Sequence, residues 1–326
     1  CAHVWINGEE ACTHEGGFLP FSADITPLLL PEGEENSLVV CVTDDTDKAP
    51  GSRGKQKLKP GGIWYTPVSG IWQTVWCESV PENYITSLFI TPHLEDGSVE
   101  LNVGGEGTVR AVIDGADAYE FAAGESTLLK LKDVRPWTPE EPYLYKLELA
   151  LGEDRVESYF AMRSFSVEAD SEGKKRLFLN GKPYFHNGLL DQGWWPDGLY
   201  TAPTDEALLY DIRFTKQLGF NMIRKHIKVE PERWYWHCDR EGILVWQDMP
   251  SGDMSTGKWE PHRYGAGTDA ARSEESFANY YKEWGEIMDF CGRHPSVVVW
   301  VPYNEAWGQY RAEEVADWTK RGDPSR

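Results

Sequence analysis

The sequence predicts three consecutive units: a β-sandwich over residues 1–80, an immunoglobulin-like β-sandwich over 81–166, and the first half of a (β/α)8 TIM barrel over 167–326. Two patterns predict this. Up to about residue 166, short alternating apolar runs are divided by turn residues at the roughly 8–12-residue spacing of sandwich strands. Beyond it, near-continuous Val/Ile/Leu/Trp strands alternate four times with segments of helical spacing, as in a parallel sheet buried on both faces. A chain of 326 residues, 40% apolar, can build several cores. No stretch approaches the roughly 18 uninterrupted apolar residues of a membrane span.

In the first unit, "HVWI" before Asn7-Gly8 reads as a strand entering a hairpin turn, and "NSLVVCV" and "GIWQTVWCESV" read as further strands. Between them, residues 44–70 form a long Gly/Pro/Lys-rich excursion, expected to be ordered because Ile63, Trp64 and Tyr65 give it something to bury. The second unit carries "YITSLFITPHL", "SVELNVGG", "TVRAVIDG", "LYKLELALG" and "VESYFAMRSFSV"; "PWTPEEPYLY", with three prolines, suits an edge or a connection. In the third, a hairpin on Asn180-Gly181 feeds an apolar strand. Thr204 and Gly219 then bound a helix, "NMIRKHI" is a strand, Pro231 and Gly242 bound a second helix, and "ILVWQD" is the next strand. A glycine-rich loop over 249–268, a third helix and the strand "SVVVWVPYNE" follow. An open doubly wound sheet fits less well, because the first strand-to-helix turn has no Gly-x-Gly-x-x-Gly loop.

The chain holds 53 acidic against 32 basic residues, a formal charge of -21, which repels phosphate backbones and anionic membranes. Neither nucleic acid nor a membrane is an expected partner. Fifteen Trp suit stacking on the apolar faces of sugar rings, and equally suit large cores. The six Cys show neither Cys-x-x-Cys pairs nor zinc spacing and are expected to be free thiols. No cofactor and no metal site is expected. The opening "CAHVWINGEE" reads as a cut inside a domain and no signal-peptide pattern is seen, so a cytoplasmic location is the leaning.

In a parallel barrel the chemistry sits at the carboxyl ends of the strands. Here those ends carry Asp191 with Trp195, Arg224 with His226, Asp248, and Asn304-Glu305 beside Trp307. Each has a plainer reading: Asp191 suits a turn, Arg224 an ion pair with Asp248 or Glu305, His226 a satisfied histidine, Asp248 and Asn304 a cap. Glu305 is the hardest to explain that way, since a carboxylate directly after a buried strand and against Trp307 is expected to be partly desolvated and to hold its proton near neutrality. With no Gly-x-Ser-x-Gly, His-Glu-x-x-His or P-loop motif, such a carboxyl group suits protonation of a glycosidic oxygen, with a second carboxylate roughly 5–5.5 Å away as nucleophile.

The order of units resembles glycoside hydrolase family 2, which includes β-galactosidases, β-glucuronidases and β-mannosidases. The likeness rests on "VWINGEEACTHEGGFLPFSADIT", "PVSGIWQTVW", "FAMRSF", "LNGKPYFHNG", "LGFNMIRKHI", "GILVWQDMP" and "HPSVVVWVPYNEAWGQ". It implies a jelly-roll-like sugar-binding first unit and a retaining exo-β-glycosidase acting on a carbohydrate substrate. Glu305 would be the general acid/base, Asn304 would contact the sugar 2-hydroxyl, Arg224 would hold the region of the nucleophile, and His226, Asp191, Asp248, Trp195 and Trp307 would line the site. The family's nucleophile ends the seventh barrel strand, so none is expected in this chain, which is expected to be cut at both ends and inactive alone. The parent is allowed to be a homo-oligomer. Many β-galactosidases carry Asn-Arg-His-Glu where this chain has "GLLDQGWWPDG", and "VWQD" is nearer the β-mannosidase style. Asp191, Asp197 and Asp248 should repel a uronic acid, with Lys225, Lys228 and Arg224 opposing them, so β-galactosides are expected first and β-mannosides or β-glucuronides next. A carbohydrate-binding protein that has lost catalysis is the alternative of another class.

Overall fold

The structure, a computed structural model, describes residues 1–48, 51–252, 269–270, 272–305 and 308–326; most of the expected loop over 249–268, and Trp307, lie outside the described residues. At the N-terminus β1 (Ala2–Ile6) and β2 (Glu9–His14) form a hairpin through Asn7 and Gly8, both at positive φ as a type I′ turn requires. β3 (Leu38–Val42) pairs antiparallel with the other edge of β1. Among the described residues this is one sheet and not the two-layered sandwich expected over 1–80. Nor is "GIWQTVWCESV" a strand: it finds no ladder partner, and Val75 and Trp76 are 62% and 68% exposed. A sandwich strand needs both a neighbour for its backbone and an opposite sheet for its side chains, and this segment has neither.

The middle region meets its expectation. β4 (Leu88–His93), β5 (Ser98–Val103), β6 (Thr108–Ile113), β7 (Asp117–Ala122), β8 (Ser126–Lys130), β9 (Tyr145–Leu151) and β10 (Asp154–Phe160) form two antiparallel sheets, ordered β10-β9-β6-β7 and β4-β5-β8. In β9, Tyr145, Leu147, Leu149 and Leu151 point inward while Lys146 and Glu148 point out, so a period of two becomes a core face. The proline-rich run is a connection, and it carries a fully buried Trp137. The expected strand "VESYFAMRSFSV" breaks in two: after β10, β11 (Phe165–Ala169) leaves the sandwich and pairs with β12 (Lys175–Leu179), which turns through Asn180-Gly181 into β13 (Lys182–Pro183).

Then come β14 (Gly188–Asp191), α1 (Asp205–Gln217), β15 (Met222–Lys225), α2 (Glu232–Glu241), β16 (Leu244–Asp248), α3 (Glu274–Cys291), β17 (Val297–Val301) and α4 (Ala312–Gly322). The four strands are parallel and adjacent in chain order, which is four units of a barrel. Thr204 caps α1 by accepting from the Ala207 N–H, and left-handed Gly242 closes α2. All six cysteines are unpaired. Among the described residues no helix is long and apolar enough to cross a membrane.

The sandwich closes the amino ends of these strands. The Trp137 indole donates to Asp239 O at 2.8 Å, and Tyr159 OH donates to the Asp239 carboxylate, which also meets His294 Nδ1 and accepts from the Ser296 N–H. Arg163 donates to Pro295 O and Val297 O. These bonds tie the sandwich to the amino-end side of the four strands, opposite their carboxyl ends.

His186 stands just before β14. Burial pushes its imidazole down from 6.5 to about 4, and its Nδ1 accepts from the Trp246 indole at 2.9 Å, a bond that a proton there would abolish. Between those values the unfolded chain binds a proton that the folded chain does not, so stability rises with pH through this window. Acidification from about pH 7 to pH 4.5 is expected to cost about 2–3 kcal/mol through this residue. Chemical denaturation at both pH values checks it: His186→Gln should flatten the dependence, and an unchanged slope would refute the assignment.

Candidate active site

At the carboxyl end of the half-barrel, Arg224 on β15 reaches across to the end of β16. Its Nε and Nη2 donate to the two oxygens of Asp248, each at 2.9 Å, and Nη2 also donates to Asn304 Oδ1 at 3.0 Å. His226 Nδ1 lies 3.1 Å from Asp248 Oδ2. The Asp248 side chain is 1% exposed against 27% for Arg224. Asp248 is thus spent on holding its neighbours, and the guanidinium and the Asn304 amide are what the mouth presents. A bidentate pair of this kind fixes the plane of the guanidinium, which a lysine cannot imitate.

Beside it lies a buried group of four charges. The Lys225 ammonium donates to Asp191 at 2.7 Å and to Glu230 at 2.8 Å, and Lys228 lies 3.1 Å from Glu230 while donating to Gly193 O and Tyr200 O. Burial works against the charge on Lys225, but Asp191 and Glu230 prevail and hold it above its ordinary value; Lys228, for which burial prevails, is pushed down. Asp191 is pushed down: burial opposes this, and Lys225 with the Gly193 N–H outweighs it. The Gly193 bond is also an Asx turn, so the turn reading and the ion-pair reading of Asp191 both hold. Trp195 sits on the same loop, its indole nitrogen buried and without a hydrogen-bond partner among the described residues.

Asn304 is buried, whereas Glu305 is exposed. The expected shielding of Glu305 is therefore not met, and the reason is its place: β17 ends at Val301, so the carboxylate stands on a turn four residues beyond the strand. Trp307, expected to cover it, lies outside the described residues. Three of the strand exits pass through a non-glycine residue at positive φ: Ile227 at 55°, Ser251 at 24° and Glu305 at 45°. For β-branched Ile227 this is a strained conformation, and strain of this kind persists where surrounding structure enforces it.

The excursion between the first strands and the sandwich also reaches this end. The Arg53 N–H donates to Ser251 O and the Gly54 N–H to Pro250 O, and Tyr65 stacks on Trp194 with ring centres 4.4 Å apart. Gly54 is required: at φ 62° any Cβ would lie 2.8 Å from Ile227 O. Trp64 and Tyr65 are partly covered as expected, but Ile63 is exposed. Sequence reading missed Glu230, whose only signal was the pair of lysines three apart ahead of it. It also missed Lys55, half-buried in the excursion, whose ammonium feels the Glu305 carboxylate. Among the described residues no group of three or more His, Cys, Asp or Glu side chains is placed to hold a metal ion.

The fold and the site define a protein built on four consecutive units of a (β/α)8 barrel, with paired charges gathered at the carboxyl ends of its strands. Residues 172–326 match "Glycosyl hydrolases family 2, TIM barrel domain" and residues 83–163 match "Glycosyl hydrolases family 2", more than two thirds of the chain between them. The chain belongs to glycoside hydrolase family 2, with that family's multidomain fold. It is 28% identical to a β-glucuronidase of Paenibacillus borealis, over all of this chain and 58% of that protein, and 27% identical to a β-galactosidase of Vibrio vulnificus, over 99% and 32%. Among solved structures, a β-glucuronidase from Ruminococcus gnavus superposes with a TM-score of 0.77 at 22% identity, covering 99% of this chain and 56% of that one. One from Dictyoglomus thermophilum gives 0.75 at 21%, covering 100% and 59%. The chain thus spans between a third and three fifths of the length of these relatives.

Proposed function

We propose that this chain supplies the acid/base half of a retaining exo-β-glycosidase that removes terminal β-linked sugars. The observation that carries the reading is the turn after β17, where Asn304 is fixed by Arg224 and Glu305 follows it into the open mouth. In this reading Glu305 protonates the glycosidic oxygen and later takes the proton from the attacking water. The Asn304 amide donates to the sugar 2-hydroxyl, since its carbonyl is taken by Arg224. Asp248, itself held by His226, fixes Arg224, and Asp191 sets the loop that carries Trp195. Asp191 and Asp248 are both engaged in ion pairs, so neither is assigned as nucleophile, and the 326-residue chain alone is expected to be inactive. Residues 1–80 serve as part of a jelly-roll sugar-binding domain, 81–166 as the immunoglobulin-like domain and 167–326 as the catalytic half-barrel.

The sugar is proposed to be a β-galactoside, since Arg224 and Lys225, which could otherwise hold a uronic carboxylate, are already engaged by Asp248 and Asp191. A β-glucuronide is the second reading, favoured by a specific observation: two of the three carboxylates expected to repel a uronic acid, Asp248 and Asp191, are neutralised by Arg224 and Lys225. Assay of aryl β-galactosides, β-glucuronides and β-mannosides with the protein as encoded in full decides between them. Release of phenol from one sugar, tenfold or more faster than from the others, is the expected result. No release from any, with sugar still bound, would replace this reading by that of a carbohydrate-binding protein.

A further inference from the structure

Among the described residues, the cations on β15 and just beyond it are matched to partners. Arg224 is held by Asp248 and Asn304, Lys225 by Asp191 and Glu230, and Lys228 by Glu230 and two carbonyls. Among the described residues the Lys55 ammonium makes no hydrogen bond or ion pair, yet it is half-buried. Its backbone is pinned on both sides: Gly54 N–H to Pro250 O at 2.9 Å, Tyr65 N–H to Lys55 O at 2.9 Å, and Tyr65 stacked in turn on Trp194. The excursion therefore bridges the loop after β14 and the loop after β16, with Lys55 between the two anchors. Burial pushes the ammonium below its ordinary value, and Glu305 pulls it back, which places the two side chains in each other's field.

A general acid stands beside the oxygen that joins the sugar to its leaving group. Asn304 and Arg224 lie on the deeper side of Glu305, and Lys55 comes from a segment laid over the rim. We propose that Lys55 is a specificity residue on the leaving-group side, which receives an anionic group, a carboxylate or sulfate, carried by the aglycone next to the bond that is cut. Tyr65 and Trp194 form the aromatic wall of that subsite. Among the described residues this half-buried ammonium has no hydrogen-bonded anion, and a ligand anion would offset the cost of its partial desolvation.

This inference rests on the glycosidase reading, and the test separates the two. The probes are 4-carboxyphenyl and near-isosteric 4-carbamoylphenyl glycosides of the sugar found above, with their non-hydrolysable 1-thio analogues made on both galactose and glucuronic acid. The protein as encoded in full is expected to favour the carboxylate over the amide, and Lys55→Met to lower that ratio of kcat/KM about tenfold, with Lys55→Arg restoring most of it. An unchanged ratio, whether both rates fall together or neither falls, overturns the proposal. So does a change in galactoside against glucuronide preference with the amide aglycone, which would put Lys55 on the sugar side. Should the protein hydrolyse nothing, the glycosidase reading fails, and calorimetric Kd values for the thio pair decide this one alone. A carboxylate preference lost in Lys55→Met upholds an anion subsite; no binding, or no preference, overturns it.

Discussion

Replacing Glu305 by alanine in the protein as encoded in full is expected to lower kcat/KM by about 10²–10⁴-fold on substrates with poor leaving groups. The loss should be far smaller where the leaving group is a phenol that departs without a proton. That contrast identifies an acid, because a residue that merely shaped the pocket would cost both substrates alike. The second half of the reaction supplies an independent check. Water attacking a glycosyl-enzyme needs a base, whereas azide does not, so azide should restore turnover in the variant and appear in a β-configured product. If every substrate slows equally and azide does nothing, Glu305 is not the acid/base group.

The largest effect on stability is expected at Lys225. Its ammonium is 1% exposed and lies within hydrogen-bond reach of two carboxylates, Asp191 and Glu230. Lys225→Met removes the charge and leaves those carboxylates with Lys228 alone, at an expected cost of about 3–5 kcal/mol. The exposed Lys182→Met is the control and should stay within about 0.5 kcal/mol of the parent. Denaturant unfolding measures both. Adding Glu230→Gln to Lys225→Met should recover part of the loss, because one unpaired buried charge is then gone. A single-variant cost under about 1 kcal/mol would mean that water or relaxation screens the cluster, against the burial described.

The sandwich strands were legible because each carries its own signal: in "YKLELAL" alternation alone names the buried residues, whatever the neighbours do. The barrel strands were legible by the opposite sign, an unbroken apolar run, and Asn304-Glu305 stood out as the place where such a run stops. What could not be read was whatever depends on distant partners. "GIWQTVWCESV" alternates as well as any strand here, but a ladder and an opposing sheet are properties of its surroundings. Lys55 is some 250 residues from Glu305, and the two meet because Gly54 fits under Ile227 and Tyr65 finds Trp194. The same holds for the exposure of Glu305, which follows from where β17 stops and not from how greasy β17 is.

The junction beneath the barrel bears on the order in which the protein is made. Tyr159, Arg163 and Trp137 all precede every barrel strand in the chain, and their partners Asp239, His294, Pro295 and Val297 all come later, among the barrel elements. During synthesis the surface that receives the barrel is thus complete, with its own core, before the first stave leaves the ribosome. A parallel sheet is slow to assemble and exposes sticky edges while it waits. Here α2 and the segment entering β17 emerge after the domain that holds their partners, so the immunoglobulin-like domain is in place to receive them as the barrel grows.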